Sequence, residues 1–233
     1  MNEPDENRRN HLGSLRTALR ESEERILRRI CPAFKIEDDI SLLSLTPLHE
    51  FTDLFPDTHI LAIRGPGFER IELPPVGSVT LIALRPSNPD ATVVELSPRS
   101  NGLREVLASN WNLLPDLSPV QLAKFILTTH TTGVVDHEVL TDMTSLDASS
   151  RRDEGFVLNQ NARRIINSSP AKTFTSVSSN SFSIHALTLY GWMHEKQELG
   201  VTDITVFNDG DYQIGDRRTI CDPVFDEIPR IWY

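Results

Sequence analysis

The fold is decided by the stretch Ser181-Phe-Ser-Ile-His-Ala-Leu-Thr-Leu-Tyr190, which a polar connection joins to Val201-Thr-Asp-Ile-Thr-Val-Phe207. In the first run and the two residues after it, an apolar or aromatic residue recurs at almost every second position from Phe182 to Trp192. Because successive side chains of a strand point to opposite faces of the sheet, this spacing predicts a strand with one buried face. His185 falls on the other parity, where we expect the less buried face.

The connection that follows the second run is the clearest turn signal in the chain. Asn208-Asp-Gly-Asp211 stands between that run and Tyr212, and Asp-Gly between alternating apolar residues predicts a β-hairpin because Gly tolerates positive φ. The three runs together predict a three-stranded antiparallel meander. A calcium loop of the EF-hand type is excluded, since the sixth and twelfth positions counted from Asp209 are both Ile.

Two further pairs of strand-like runs precede this meander. The runs at 59–64 and 68–73 flank Gly65-Pro-Gly67 and predict one hairpin; the runs at 78–84 and 91–96 flank a loop with two prolines and predict a second. Connections this short favour antiparallel pairing, because parallel strands need longer crossovers. Whether the two groups of strands, 59–96 and about 172–220, form one sheet or two stays open.

Two weaker strand signals complete this part of the prediction. Residues 134–140 are compatible with a short strand. The Ser- and Thr-rich residues 168–181, with Phe174 and Val177 among them, are compatible with a solvated strand and a loop.

Helices are expected near 12–30, 102–110 and 118–129. The first is an amphipathic helix within residues 11–31, with leucine and isoleucine at three- and four-residue steps. Ser118 followed by Pro119 is typical of a helix start, because Ser caps free N–H groups and Pro fits the first turn. The sequence therefore predicts an α+β fold, with antiparallel β hairpins and a meander packed with a few helices and preceded by an N-terminal amphipathic helix.

The pattern predicts a disordered N-terminus at 1–10 and a single α+β domain over 11–233. The polar residues 141–155 are the candidate internal boundary or flexible loop. The N-terminus has no apolar core of the signal-peptide kind, and no window approaches 18 uninterrupted apolar residues. We therefore expect a soluble, cytoplasmic protein without membrane association.

The formal net charge is −10, and acids are concentrated in two regions. Residues 31–60 contain one Lys against six acids, and residues 201–233 contain three Arg against seven. Because nucleic-acid binding needs a basic surface, this balance argues against a nucleic-acid partner. It favours a basic protein partner if the chain has one.

Cys31 and Cys221 are the only cysteines and show no metal-ligand spacing. Two buried reduced thiols are expected in a cytoplasmic protein, and a single long-range disulfide is the alternative. No cofactor and no metal are predicted. The glycine patterns of dinucleotide-binding loops, phosphate-binding loops and serine hydrolases are all missing from the sequence.

The densest group of chemically active residues follows the helix at 118–129. His130, Asp136, His137 and Glu138 offer imidazole and carboxylate groups of the kind used by metal sites and acid–base pairs. Their spacing matches no zinc signature. If 134–140 is a strand, Asp136 and Glu138 share one face while His137 takes the other, which weakens a three-ligand site.

Aromatic residues of the meander are candidates for a different kind of site. Tyr190, Trp192 and Tyr212 would line a small-molecule cup if the meander curves, because aromatic lining is typical of ligand pockets. The simpler alternative is that these aromatic residues belong to the core.

The leading hypothesis from sequence is a non-enzymatic intracellular binding protein of acidic character with a basic protein partner. It depends on the missing catalytic signatures, the acidic charge and the N-terminal amphipathic helix. The alternatives are a metal-dependent hydrolase that uses residues 130–138, and a small-molecule-binding cup formed by the meander.

Overall fold

The computed structural model describes most of the chain from residue 23 to residue 227. The described residues are 23–28, 30, 42–48, 51, 54–55, 58–66, 71–73, 77–84, 93–97, 100–130, 136–143, 157–168, 172–191 and 197–227. The predicted disordered segment at 1–10 therefore lies outside the described residues, and of the candidate boundary at 141–155 only residues 141–143 are described.

The described residues contain thirteen strands and three α-helices with defined bounds, besides the helical residues 23–28. In chain order the strands are β1 (Ser44–Pro47), β2 (His59–Arg64), β3 (Ile71–Leu73), β4 (Gly77–Leu84), β5 (Val94–Leu96), β6 (Asp136–Leu140), β7 (Val157–Leu158), β8 (Phe174–Val177), β9 (Ser181–Gly191), β10 (Glu198–Phe207), β11 (Tyr212–Ile214), β12 (Arg218–Cys221) and β13 (Phe225–Glu227). The helices are α1 (Gly102–Ser109), α2 (Pro119–His130) and α3 (Gln160–Ser168), with a 3-10 helix at Trp111–Asp116 between α1 and α2.

The predicted meander is confirmed and forms the centre of one sheet, in the order β11-β10-β9-β6. Val206 of β10 pairs with Phe182 of β9 on one side and with Tyr212 of β11 on the other. The pairings of β11 with β10, β10 with β9 and β9 with β6 are all antiparallel. Gly210 lies in the predicted turn with φ of +82°. β8 pairs with β9 beyond the end of β6, and β12 pairs with β10 beyond the end of β11. Two short strands thus share each edge of this sheet, which we call the second sheet because its strands follow those of the first along the chain.

The first sheet has the order β1-β2-β4-β3, with β5 also paired to β4. The predicted hairpin between 78–84 and 91–96 is confirmed by the antiparallel pairing of β4 with β5. The predicted hairpin between 59–64 and 68–73 is wrong, because β4 lies between β2 and β3. The reason is burial: Ile60 to Ile63 are all buried, so β2 is a central strand and takes the longer β4 as its neighbour. The two strand groups therefore form two sheets.

Helices α1 and α2 begin where the sequence predicts. The Ser118 hydroxyl lies 3.5 Å from the Gln121 N–H, and the Leu122 N–H donates to the Ser118 carbonyl. At the start of α3, the Asn159 side-chain oxygen accepts from the Ala162 N–H at 2.7 Å. Such caps satisfy N–H groups that the first helical turn leaves free. With antiparallel sheets and a few helices, the α+β class is confirmed.

Of the predicted N-terminal helix at 11–31, only residues 23–28 and Ile30 are described. Residues 23–28 are helical. Leu27 and Ile30 are buried against Leu61 and Ile63 of the first sheet. The rest of this prediction lies outside the described residues.

The main core lies between the two sheets and includes α1 and α2. Phe125 of α2 is fully buried, and its ring meets Phe51 and Phe55 edge to face, each at 5.4 Å between ring centroids. Members of both sheets belong to the same apolar cluster, including Ile60, Ala62, Leu81, Leu96, Phe182, Ile184, Ile204 and Val206.

The turn between β10 and β11 is held against α1 and against the neighbouring turn. Arg104 of α1 donates to the Asp209 carboxylate at 2.7 Å. The Asn208 N–H donates to the carbonyl of Asn180, in the turn between β8 and β9, at 3.2 Å. Through these contacts α1 and the two turns fix the end of the second sheet at which β8 lies.

Among the described helices, none is long and apolar enough to cross a membrane.

Candidate functional site

Among the described residues, apolar side chains cover only part of the outer face of the second sheet, the face that points away from the main core. Leu187 and Leu189 of β9 and Leu199 and Val201 of β10 are buried there beneath α3 and its flanking segments. The covering residues include Leu158, Ala162, Ile165, Val224 and Phe225. Toward the β8 end, beyond Leu187 and Val201, the side chains of the same face are polar except for one phenylalanine. We call this region the open face; it consists of Phe174, Ser176, Ser183, His185, Asp203 and Thr205.

Side-chain contacts confirm that these residues share one face. His185 Nδ1 lies 2.8 Å from the Asp203 carboxylate, and the hydroxyls of Ser183 and Thr205 are 3.2 Å apart. The Phe174 ring stacks on the His185 ring with 4.8 Å between centroids. The Asp203 side chain is 60% exposed and that of His185 is 24% exposed. The open face thus offers an aromatic surface, a carboxylate and several hydroxyls to a partner.

Strand β8, at the border of the open face, is the least buried strand of its sheet. Phe174 is 46% exposed and Val177 is 61% exposed, although both are large apolar residues. They belong to opposite faces of the sheet, because β8 pairs Phe174 with His185 and Val177 with Phe182. Between them lie Thr175 and Ser176, so the strand carries no charge and no Pro. Both faces of β8 are therefore accessible.

The region that borders the open face is acidic. Residues 198–216 include five acids and no Lys or Arg. A hydrogen bond from the Asp211 N–H, with a further contribution from the Arg104 guanidinium, lowers the pKa of Asp209 below its ordinary value. Asp209 therefore keeps its negative charge in mildly acidic solution, and it is tied to Arg104. Asp203 and Asp211 are exposed as well.

Two residues of the predicted metal or acid–base site, His130 and Glu138, have described side chains and lie apart. His130 is the last residue of α2, and its Nδ1 lies 3.3 Å from the Tyr212 hydroxyl. Glu138 pairs with Leu189, which in turn pairs with Leu199, seven residues along β10 from the partner of Tyr212. His130 therefore contacts one end of the second sheet, whereas Glu138 lies near the other end.

The backbones of Asp136 and His137 are also in β6, where they pair with Gly191 and Tyr190. Within the described part of the chain, no group of three or more His, Cys, Asp or Glu side chains is arranged to hold a metal ion.

The residues of the predicted aromatic cup are spread along the second sheet. Tyr212 pairs with Val206 and Tyr190 pairs with Glu198, which places the two tyrosines eight residues apart along β10, or about 26 Å of strand. Trp192 lies outside the described residues. Tyr190 instead supports the Arg217 guanidinium, which lies 4.8 Å from the ring centroid and donates to the Glu198 carboxylate at 2.9 Å. This arrangement is a packed ion pair on an aromatic ring.

Cys221 is a buried free thiol. Burial raises its pKa, with a smaller contribution from the negative charge of Asp222. A thiol with a raised pKa is a poor nucleophile at neutral pH, because the thiolate is the reactive form. Cys31 lies outside the described residues.

We expect a Tyr212→Phe variant to resist alkali better than the wild type. Burial, and then the charge of Asp211, raise the pKa of Tyr212 above its ordinary value. Because of this raised pKa, the folded protein binds the phenol proton more tightly than the unfolded chain, whose tyrosine loses it near pH 10. The free energy of unfolding therefore falls as pH rises past about 10. The free energy of unfolding, measured in urea from about pH 8 to pH 11, should fall less steeply in the variant. Equal slopes for both proteins would contradict this account.

The open face was missed by the sequence interpretation. Periodicity shows which residues share a face of a strand, but it does not show where a distant helix covers that face. The available signal lies in residues 174–177, where an uncharged strand carries apolar side chains on both parities.

No protein-family model matches this chain, and comparison with curated proteins and with solved structures finds no match.

Proposed function

We propose that this chain is a non-enzymatic binding protein that engages a basic partner protein through the open face and strand β8. The exposure of β8 carries the proposal. Phe174 and Val177 are 46% and 61% exposed on an uncharged four-residue strand at the border of a sheet. Sheets usually protect such edges with charges, Pro or a covering element. Among the described residues, none of these protects Phe174–Val177, which supports a partner on this edge.

Charge supports a basic protein as the partner. The net charge is −10, and residues 198–216 next to the open face contain acids without a basic residue. A basic partner is attracted to such a surface, whereas an acidic competitor is repelled by it. The same charge disfavours a nucleic acid, whose phosphates would be repelled. For the metal-dependent hydrolase and the small-molecule cup, the described contacts add no support.

We also propose that this binding takes place in the cytoplasm. Cys221 is a buried free thiol, as expected for a protein kept in a reducing compartment. Localisation of a fluorescent fusion of the full chain tests this part of the proposal; a signal confined to a membrane or to the medium would contradict it.

The proposed function is tested by a pair of matched substitutions. Phe174→Lys places a positive charge on the open face, whereas Val157→Lys changes a 39% exposed apolar residue of β7 in the same way. Each tagged chain is expressed in the organism from which the protein comes and is purified by its tag. The proteins that co-purify with it are quantified by mass spectrometry. We expect a basic protein to be recovered with the wild type and with Val157→Lys, but about tenfold less with Phe174→Lys, as for loss of an interface hot spot.

Two results would contradict the proposal. One is a partner that is lost equally from both variants, since the open face would then have no special part in binding. The other is the absence of any protein recovered in stoichiometric amount with the wild type. Salt provides an internal check, because the binding of a basic partner to an acidic surface weakens as ionic strength rises.

A further inference from the structure

We infer that His185 makes the open face a pH-dependent binding surface, because its protonated form engages the two groups, Asp203 and Phe174, that cationic side chains of the partner would use. This inference rests on the proposed function and specifies how binding is regulated. Three observations lead to it: the negative charge on the open face, the contacts of the histidine ring, and the charges that surround them.

Asp203 places a negative charge on the open face itself. Its side chain is 60% exposed, and only one of its two carboxylate oxygens, Oδ1, has a hydrogen-bond partner among the described residues. On the β11 side it lies opposite Gly215, whose N–H donates to the Asp203 carbonyl and which has no side chain to cover the carboxylate. A Lys or Arg of the partner therefore has direct access to the second carboxylate oxygen.

Phe174 offers a second contact to a cationic partner. Its side chain is 46% exposed, and its ring is stacked on His185. A cation placed over the face of an aromatic ring is attracted by the negative charge of that face. Phe174 and Asp203 lie on the two strands that flank His185, about 10 Å apart across the sheet, so one partner surface would reach both.

The His185 ring lies between these two groups and contacts both. Its Nδ1 is 2.8 Å from the Asp203 carboxylate, and its centroid is 4.8 Å from that of Phe174. An ionised carboxylate only accepts hydrogen bonds, so the neutral ring carries its proton on Nδ1 and has an unprotonated Nε2. No residue in the described ranges donates a hydrogen bond to Nε2, which is therefore the atom that takes a second proton.

Protonation turns both contacts of His185 into contacts of a cation. The hydrogen bond to Asp203 becomes an ion pair, which cancels the negative charge that the open face presents. The stack on Phe174 becomes a cation–π contact. Protonated His185 thus makes, within the chain, the contacts expected of the partner's cations, and its own charge repels them. Because histidine is the side chain that ordinarily changes charge between pH 5 and 8, binding should weaken on acidification.

The other charges near this pair balance one another. Four more charged side chains belong to the same face of the second sheet: Lys172 beside β8, Arg218 of β12, Asp211 beside β11 and Glu138 of β6. Two are positive and two are negative, and none is the strand neighbour of His185. Lys, Arg, Asp and Glu side chains ordinarily keep their charge near neutral pH, so the variable charge of this face is that of His185.

The test uses hexa-arginine, acetylated and amidated at its ends, as a cationic probe whose charge does not change with pH. It is titrated into the full chain at low ionic strength, and binding is followed by the NMR amide signals of Ser183 and Thr205 on the open face. We expect the dissociation constant to rise from about pH 7.5 to about pH 5.5, by at least about threefold more in wild type than in His185→Gln.

Two further variants sharpen this test. His59→Gln is the matched control, because it changes an exposed histidine of β2 in the first sheet, and it should keep the pH dependence of wild type. Asp203→Asn should raise the dissociation constant at least about threefold at neutral pH. Equal pH dependence in wild type and His185→Gln, or no shift of the Ser183 and Thr205 amides, would overturn the inference.

The protein recovered with the wild type separates this inference from the proposed function. Its release at about pH 5.5 from wild type but not from His185→Gln would support both. Equal release from the two chains would refute the role of His185 and leave the proposed function standing. A His185-dependent response to hexa-arginine, with no partner recovered from the source, would uphold the pH-dependent surface and refute the proposed function.

Discussion

Replacing Gly210 by Ala is expected to lower the free energy of unfolding by about 2–4 kcal/mol. Gly210 has φ of +82°, a region in which an L side chain costs about 1 kcal/mol or more. A Cβ at this position would overlap the Arg104 carbonyl oxygen and lie 2.8 Å from Ala108 of α1. Because these atoms belong to a packed helix, the turn must move away, and such overpacking costs about 1–3 kcal/mol.

The matched control is Gly215→Ala, in the same part of the chain. The nearest atom to a Cβ at Gly215 is the Asp203 carbonyl oxygen at 3.3 Å, and Gly215 is exposed. We expect this change to cost less than about 1 kcal/mol, as surface substitutions usually do. Urea unfolding monitored by circular dichroism measures both variants. Equal losses in the two variants would show that the turn does not pack on α1 as described.

Replacing Phe125 by Ala is expected to cost about 3–5 kcal/mol, the range found for large aromatic residues of a core. The Phe125 side chain is fully buried, and it contacts the edges or faces of Phe51 and Phe55. It belongs to the cluster that joins both sheets, so the cavity would lie where the sheets are held together. The surroundings relax only partly around such a cavity, which adds to the lost apolar burial.

Phe174→Ala provides the control for this prediction, because it removes the same side chain from a half-exposed position. We expect a loss below about 1 kcal/mol, since far less apolar surface returns to water. Both variants are compared by thermal and urea unfolding. A loss at Phe174 as large as that at Phe125 would contradict the assignment of Phe125 to the shared core and of Phe174 to the surface.

Local signals in the sequence account for several features of the fold. Asp209-Gly210 predicted the turn between β10 and β11 because few residues other than Gly adopt positive φ. Ser118 and Pro119 predicted the start of α2 because capping depends on neighbouring residues alone. These predictions required no knowledge of distant contacts.

Features that depend on distant contacts were not predictable in the same way. The order of β2, β4 and β3 follows from which strand is central, and sequence spacing favoured the wrong pairing of β2 with β3. In β9, Leu187 and Leu189 fall on the parity expected to be less buried, yet both are buried because α3 and its flanking segments cover them. His185 on the same parity is less buried, as predicted, since that cover ends before it.

The candidate site depends on the same kind of distant information. The sequence shows that Phe174 and Val177 flank two uncharged residues, Thr175 and Ser176, within a Ser- and Thr-rich segment. It does not show that this segment forms the border of a sheet, because an edge strand and a central strand have the same period. The charge of the chain was readable from sequence, whereas the place at which a partner meets that charge required the fold.

The central claim is that a basic partner covers β8 and the open face. Hydrogen exchange followed by mass spectrometry, on the chain purified with its partner from its own source, tests this most directly. The account predicts slower exchange in peptides that cover residues 172–185 when the partner is present, with β7 and its neighbours unchanged. Slower exchange confined to another surface, or no partner after gentle purification, would contradict it.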